Sequence, residues 1–231
     1  MESTMTQTKI SNSTLDVLKN FSSINQNLVI KAGNEISTMS AMKNIVAKAD
    51  VKESFPQDFA IYDLNEFLAA LSLFEKPDLE FKDDFVNITE ENSSGKFLNY
   101  WYSDPSVVTS PSKTITMPSQ EVTFTMSNDD LSKLKKAAGV IGAPDMVLEK
   151  NGSGSSLTVK DKKNDTANNY SLDVVTNGEG EFNFYFKVEN MKLLDGSYDV
   201  EISSKNISHY TNKNSPVEYW IALEPESTYT V

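Results

Sequence analysis

Apolar residues along this chain alternate with polar ones in short runs, and in a few places the spacing lengthens to three or four. The first such place starts at Ser13-Thr14-Leu15-Asp16, which has capping-box spacing, and Leu15, Leu18 and Phe21 then share one face, predicting a helix. Alternating runs predict strands over 27–31, 36–40, 44–51 and 58–62, with Ala32-Gly33-Asn34 as a turn. The last runs into a second helix, with Leu64, Phe67, Leu68, Leu71 and Phe74 on one face, stopped by Lys76-Pro77-Asp78. Strands over 79–82, 85–89 and 96–102 follow. Residues 1–10 read as a polar N-terminal extension and 11–102 as an N-terminal domain.

Residues 103–118, with three prolines, many hydroxyls and little charge, are expected to be an interdomain connector, followed by a C-terminal domain over 119–231. A strand is predicted over 121–126. Ser127 and Asp130 have capping-box spacing, and their helix is expected to run to Ala138 before Gly139. Strands over 146–150 and 157–160 flank Asn151-Gly152-Ser153-Gly154, a hairpin signature. Strands over 170–175 and 181–187, a short helix over 189–194, and strands over 197–203, 207–211 and 217–223 complete the pattern.

The two halves resemble each other. Leu18, Ile24 and Leu28-Val29-Ile30 are echoed by Leu134, Ile141 and Met146-Val147-Leu148. Phe59-Ala60-Ile61-Tyr62 is echoed by Phe182-Asn183-Phe184-Tyr185, and the offset drifts only from 116 to 123, as loop insertions would produce. Self-similarity on this scale predicts a duplicated α+β architecture.

Composition narrows the chemistry. Among 231 residues there is no Cys and one His, which removes disulfides, thiol nucleophiles, zinc ribbons and any two-histidine metal site within one chain. Asp and Glu number 33 against 21 basic residues, giving a net charge of −12, and every basic residue is Lys. Without Arg, bidentate reading of guanine is poorly served, so any contact with nucleic acid would run through phosphates without reading sequence, and a net charge of −12 argues against such contact unless the charge is segregated. The longest apolar run, 67–74, is far short of a membrane span, and the first residues carry no signal-peptide pattern. An intracellular protein with no membrane partner is expected.

Candidate catalytic groups are few. Asp83-Asp84 falls in a turn and Asp129-Asp130 opens a helix, where acidic residues are stabilised by the helix dipole. His209 has no nucleophile nearby in sequence. Asn151 to Ser156 lacks the Gly-Lys-Ser/Thr of a phosphate loop and precedes a strand. Neither a catalytic site nor a cofactor or metal is predicted, although 33 acids leave a carboxylate-based hydrolase open. At about 100° per residue, Leu131, Leu134 and Ala138 share one face of their helix, Lys133 and Lys136 lie opposite, and Lys135 sits at the border. Lys19 lies beside the apolar face of the first helix, and Lys192 belongs to the short late helix.

Several separate blocks, in order, are similar to the DNA sliding clamps of T4-type bacteriophages. They are Leu18-Lys19-Asn20-Phe21 with Ile24-Asn25, then 59–65 with Phe67-Leu68 and 71–73. Trp101 with 104–108 follows, then Phe182-Asn183-Phe184 with 189–192, and finally 222–224 with Ser227-Thr228. The resemblance implies two similar domains per chain and a homotrimer closed head to tail into a ring around duplex DNA. It implies that the protein tethers the replicative DNA polymerase for processivity. A separate ATP-driven clamp loader, possible use in phage late transcription through further factors, and action in the cytoplasm of the infected host are part of the same implication. By position, Lys19, Lys133, Lys136 and Lys192 would face DNA, with Lys135 a weaker candidate. The helix over 64–74 departs from that pattern, carrying Glu66 and no Lys. The polymerase C-terminal peptide would be captured by Val107, Val108, Ile115, Met117, Leu223 and Pro225. A β-rich phage structural or interaction protein that does not encircle DNA is the alternative.

Overall fold

The computed structural model describes residues 7–90, 95–152 and 154–231, and the chain divides into two compact units, 1–113 and 114–231. The division falls inside the proline-bearing stretch.

In the first unit, β1 (Gln7–Lys9) precedes α1 (Asn12–Ile24). Strands β2 (Leu28–Ile30), β3 (Gly33–Met39), β4 (Ile45–Phe55) and β5 (Phe59–Ile61) lead to α2 (Leu64–Leu71). Strands β6 (Pro77–Phe81), β7 (Phe85–Glu90) and β8 (Leu98–Trp101) close the unit. Pairing is antiparallel throughout, in two sheets ordered β5-β2-β3-β4 and β1-β6-β7-β8. Helix α1 lies against β4 and α2. It buries Thr14, Val17, Leu18, Phe21 and Ile24, a stripe that repeats at three and four and removes apolar surface from water.

The second unit repeats this order. Strand β9 (Val122–Met126) precedes α3 (Asn128–Ile141). Strands β10 (Asp145–Asn151), β11 (Gly154–Lys160), β12 (Tyr170–Val174), the two-residue β13 (Thr176–Asn177) and β14 (Glu181–Lys187) follow. After a 3-10 turn at Val188–Asn190 come β15 (Tyr198–Ser203), β16 (Ile207–Asn212), β17 (Val217–Ala222) and β18 (Thr228–Thr230). The sheets run β12-β11-β10-β14-β18 and β13-β9-β15-β16-β17. Removing the short additions β13 and β18 leaves the strand orders of the first unit, with β9, β10 and β14 in the places of β1, β2 and β5. The sequence blocks 28–30 with 146–148 and 59–61 with 182–184 therefore occupy equivalent strands.

Several expectations needed correction. Gln7–Lys9 is a strand paired with β6, in place of a loose extension. The α1 cap is Ser11, whose hydroxyl accepts from the Thr14 N–H, so the helix begins before Ser13. Helix α2 ends at Leu71, with the Ser72 hydroxyl turning back onto the Ala69 carbonyl, and Phe74 lies beyond it. Helix α3 passes through Gly139 and stops at Gly142, which takes φ +66° in the left-handed region and lets its N–H reach Ala138. The expected helix over 189–194 is only the 3-10 turn, so Lys192 lies outside it. Within the hairpin signature at 151–154, Ser153 lies outside the described residues.

Candidate nucleic-acid interface

The capping of α3 fixes where its lysines point. Ser127 accepts from the Asp130 N–H, and Leu131, Leu134 and Ala138 are buried, turning Lys133 and Lys136 outward. The Lys133 ammonium meets Asp129 one turn earlier at 2.6 Å, which raises its pKa. In α1, exposed Lys19 lies 3.7 Å from Asp16. Lys135 differs from both. Its stem folds inward and its ammonium donates to the Leu193 carbonyl at 2.9 Å, with burial lowering its pKa. Lys135 thus lies at the border of the buried face, where its spacing placed it, with its ammonium held by the Leu193 carbonyl. Lys192 is half-buried. Lys136 is exposed and stands apart from the carboxylates that engage Lys19 and Lys133. Helix α2 offers no lysine, and its first turn carries Glu66 beside the capping Asp63.

The residues expected to take a peptide are spread in burial. Val107 is 58% exposed in a 3-10 turn at Pro105–Val107, whereas Val108 is buried. The Asn27 side chain accepts from the Thr109 N–H and fixes the backbone just past them. Ile115 and Met117 are half-buried, Leu223 is buried with its N–H on the Asn206 carbonyl, and Pro225 is exposed.

The remaining candidates for chemistry are engaged structurally. His209 lies between Glu201 and Glu218, at 3.1 and 3.0 Å from its two ring nitrogens, and stacks on Trp220. Asp129 pairs with Lys133, and Asp130 accepts from the Ser127 hydroxyl. Asp83 and Asp84 form the turn between β6 and β7. Among the described residues, no group of three His, Asp or Glu side chains is placed to hold a metal ion. No helix among them is long and apolar enough to cross a membrane.

Two features escaped the periodicity. In the first unit, Tyr62, Leu73, Leu98 and Trp101 line a groove of about 700 Å³ beside the edge strand β8. In the second, Val175 directly follows the edge strand β12 and is 90% exposed. The signal in the sequence was Trp101 and Val175 standing out of phase with the buried alternation of their strands.

Two units of one topology, each with a capped helix, define a DNA-clamp fold. A solved proliferating cellular nuclear antigen from Entamoeba histolytica shares it at TM-score 0.70 and 15% identity, over 94% of this chain and 98% of that one. The PCNA2-PCNA3 complex from Sulfolobus tokodaii also matches at TM-score 0.70, with 11% identity over 96% of this chain and 100% of that one. Residues 9–110 match the family model described as DNA polymerase processivity factor, and 123–225 match the gp45 sliding clamp, C terminal. The sliding clamp of Vibrio phage KVP40 is 32% identical over 94% of this chain and 99% of its own length. That of Escherichia phage RB69 is 29% identical over 96% and 99%. The chain belongs to the sliding-clamp family of DNA polymerase processivity factors.

Proposed function

We propose that three copies of this protein close head to tail into a ring around duplex DNA, and that retention comes from encirclement with little help from affinity. The observation that carries this is the repeated topology, which leaves an open edge strand in each unit, β8 in the first and β12 in the second. An unpaired edge is a template for another strand, and the exposed Trp101 on β8 and the exposed Val175 just past β12 are apolar side chains that a neighbouring copy would cover. An interface between two different surfaces generates a ring when its rotation closes.

The charge pattern fits a weak lining. Of the helix lysines, Lys19 and Lys133 face a carboxylate on their own helix and Lys135 is turned inward, so Lys136 carries most of the free positive charge of α3. Six to ten phosphate contacts would lose roughly 10³–10⁵ in affinity between 50 and 200 mM salt. A closed ring escapes that loss, and weak contacts let it slide. With Lys192 as a secondary contact, the ring holds the polymerase near the primer end and raises its effective concentration there.

The polymerase C-terminal peptide is received by accessible members of the candidate set, which in the second unit are Ile115, Met117 and Pro225. The protein performs no catalysis of its own and uses no cofactor. Opening is the task of a separate clamp-loader ATPase. The ring acts in the cytoplasm of the infected bacterium, where late-transcription factors are further partners. The test is loading by a T4-type clamp loader on nicked circular and on linear DNA, followed by a high-salt wash. Persistence on circles with loss from linear ends is expected, and equal loss from both overturns encirclement.

A further inference from the structure

Succinimide formation is least hindered where glycine follows Asn or Asp, and this protein has three such dipeptides: Asn151-Gly152, Asn177-Gly178 and Asp195-Gly196. In each, a glycine amide follows the Cγ carbonyl of the preceding residue at the distance of a five-membered ring, and the absence of a Cβ permits the approach. The fold treats them differently. Asn177 belongs to β13 and pairs with Thr123. Gly178 is pressed onto β9, where even a Cβ would meet the Glu121 carbonyl oxygen at 2.9 Å, and its own carbonyl accepts from the Lys150 ammonium. The Gly196 N–H donates to the Asn128 side chain at 2.8 Å, and the Asn212 amide crowds the glycine from the other side. Asn177 and Asp195 are themselves exposed, but these contacts hold the glycine backbone on which the ring must close and so resist its formation. Asn151 is the last residue of its ladder, opposite Gly154, and the Gly152 amide lies beyond the ladder. Both residues are exposed, Gly152 has φ +72°, and nothing stands within 4 Å of where its Cβ would be.

We propose that Asn151-Gly152 is a site of spontaneous deamidation, selected from three chemically similar dipeptides by the local structure. Base removes the Gly152 amide proton, and the nitrogen attacks Cγ of Asn151. The new bond from the Gly152 nitrogen to Cγ forms, the bond from Cγ to Nδ2 breaks, and ammonia leaves. Water then opens the succinimide at either carbonyl, giving aspartate or isoaspartate. The product adds one negative charge to the β10–β11 tip beside Lys150, and isoaspartate lengthens the backbone there.

The test is to age the purified full-length protein at mildly alkaline pH and to locate acid and isoacid products by peptide mapping with fragmentation. Asn151 is expected to convert severalfold faster than Asn177 or Asp195 in the folded protein, and Asn151→Gln removes that signal. In denaturant, Asn177 is expected to rise to the rate of Asn151, because the chemistry of the two dipeptides is the same. An unmodified Asn151, equal rates in the folded protein, or a rate ratio that survives denaturation overturns the proposal.

Discussion

Thr14 donates its hydroxyl to the carboxylate of Glu53, joining the first turn of α1 to the long strand β4. The same carboxylate accepts from the Ser11 backbone N–H, so a buried acid completes the cap of a helix formed far earlier in the sequence. Burial alone would raise the Glu53 pKa, but the hydrogen bonds from Thr14 and Ser11 outweigh it and hold the group below its ordinary 4.5. A depressed acid contributes stability that is present above its unfolded pKa and lost as pH falls through the folded one.

Glu53→Ala is therefore expected to cost about 2 kcal/mol at neutral pH, the order of hydrogen bonds to a charged group. For a protein of this size that corresponds to a Tm lower by about 4–8 °C. The gap between wild type and variant should narrow as pH falls below 4.5. Urea midpoints followed down through that range check it, and a gap independent of pH would mean that packing, with no carboxylate contribution, holds the helix.

A second ionic centre fixes the C-terminal segment. Asp145, at the start of β10, is almost fully buried and contacts Lys187 at 2.8 Å and Lys162 at 3.5 Å. Lys162 also pairs with Glu224 and Glu226, while Tyr185 bonds to Glu224 and Ser227 through its backbone. Removing one partner of a buried pair costs about 3–5 kcal/mol, so Asp145→Ala is expected to be strongly destabilising. Lys162→Met should act more locally, releasing residues 224–227 while the sheets persist. Hydrogen exchange checks this at the Glu224 amide, which donates to the Tyr185 carbonyl. Unchanged protection there would show that the backbone pairing alone holds the segment.

The legible part of the fold was the part written in period. The stripes of α1 and α3 and the alternation of β14 and β15 could be followed because one face of each meets a core. The duplication was visible for the same reason, since Leu28–Ile30 and Met146–Leu148 are buried strands in equivalent places. Three-residue strands such as β1 and β18 carry too few positions to show a period, and only their partners β6 and β14 make them strands. The inward turn of Lys135 was equally hidden, because it depends on the Leu193 carbonyl 58 residues away. Spacing placed Lys133 on the exposed face, and the same i, i+4 spacing was the signal for its ion pair with Asp129.

Two glycines separate strain from crowding. Gly142 and Gly180 both have left-handed φ, +66° and +79°. A Cβ on Gly142 meets nothing within 4 Å, whereas on Gly180 it would lie 2.0 Å from the Thr230 carbonyl oxygen in β18. Gly142→Ala should cost about 1–2 kcal/mol, the left-handed penalty for an ordinary residue. Gly180→Ala should cost more and lose the β14–β18 pairing, seen as faster exchange in β18 and exposure of Phe184, on which Tyr229 stacks. Equal costs with β18 still protected would show that the close approach relaxes easily.

The lysines of α3 offer a separation of the same kind, between charge that meets DNA and charge that holds the fold. Lys136→Glu leaves the buried face of α3 untouched and is expected to leave Tm nearly unchanged. If it touches phosphate in the loaded ring, the salt dependence of loading should weaken, with a slope change of about 0.9 for each phosphate no longer neutralised. Lys135→Met removes the hydrogen bond to the Leu193 carbonyl and should lower Tm while leaving that slope unchanged. Lys133→Ala should fall between them, because the lysine it removes already shares its charge with Asp129 at 2.6 Å. Loading rates on nicked circles across a salt series, with a melting curve for each variant, distinguish the three. A slope that changes with Lys135→Met and not with Lys136→Glu would move the DNA-facing surface off the exposed side of α3.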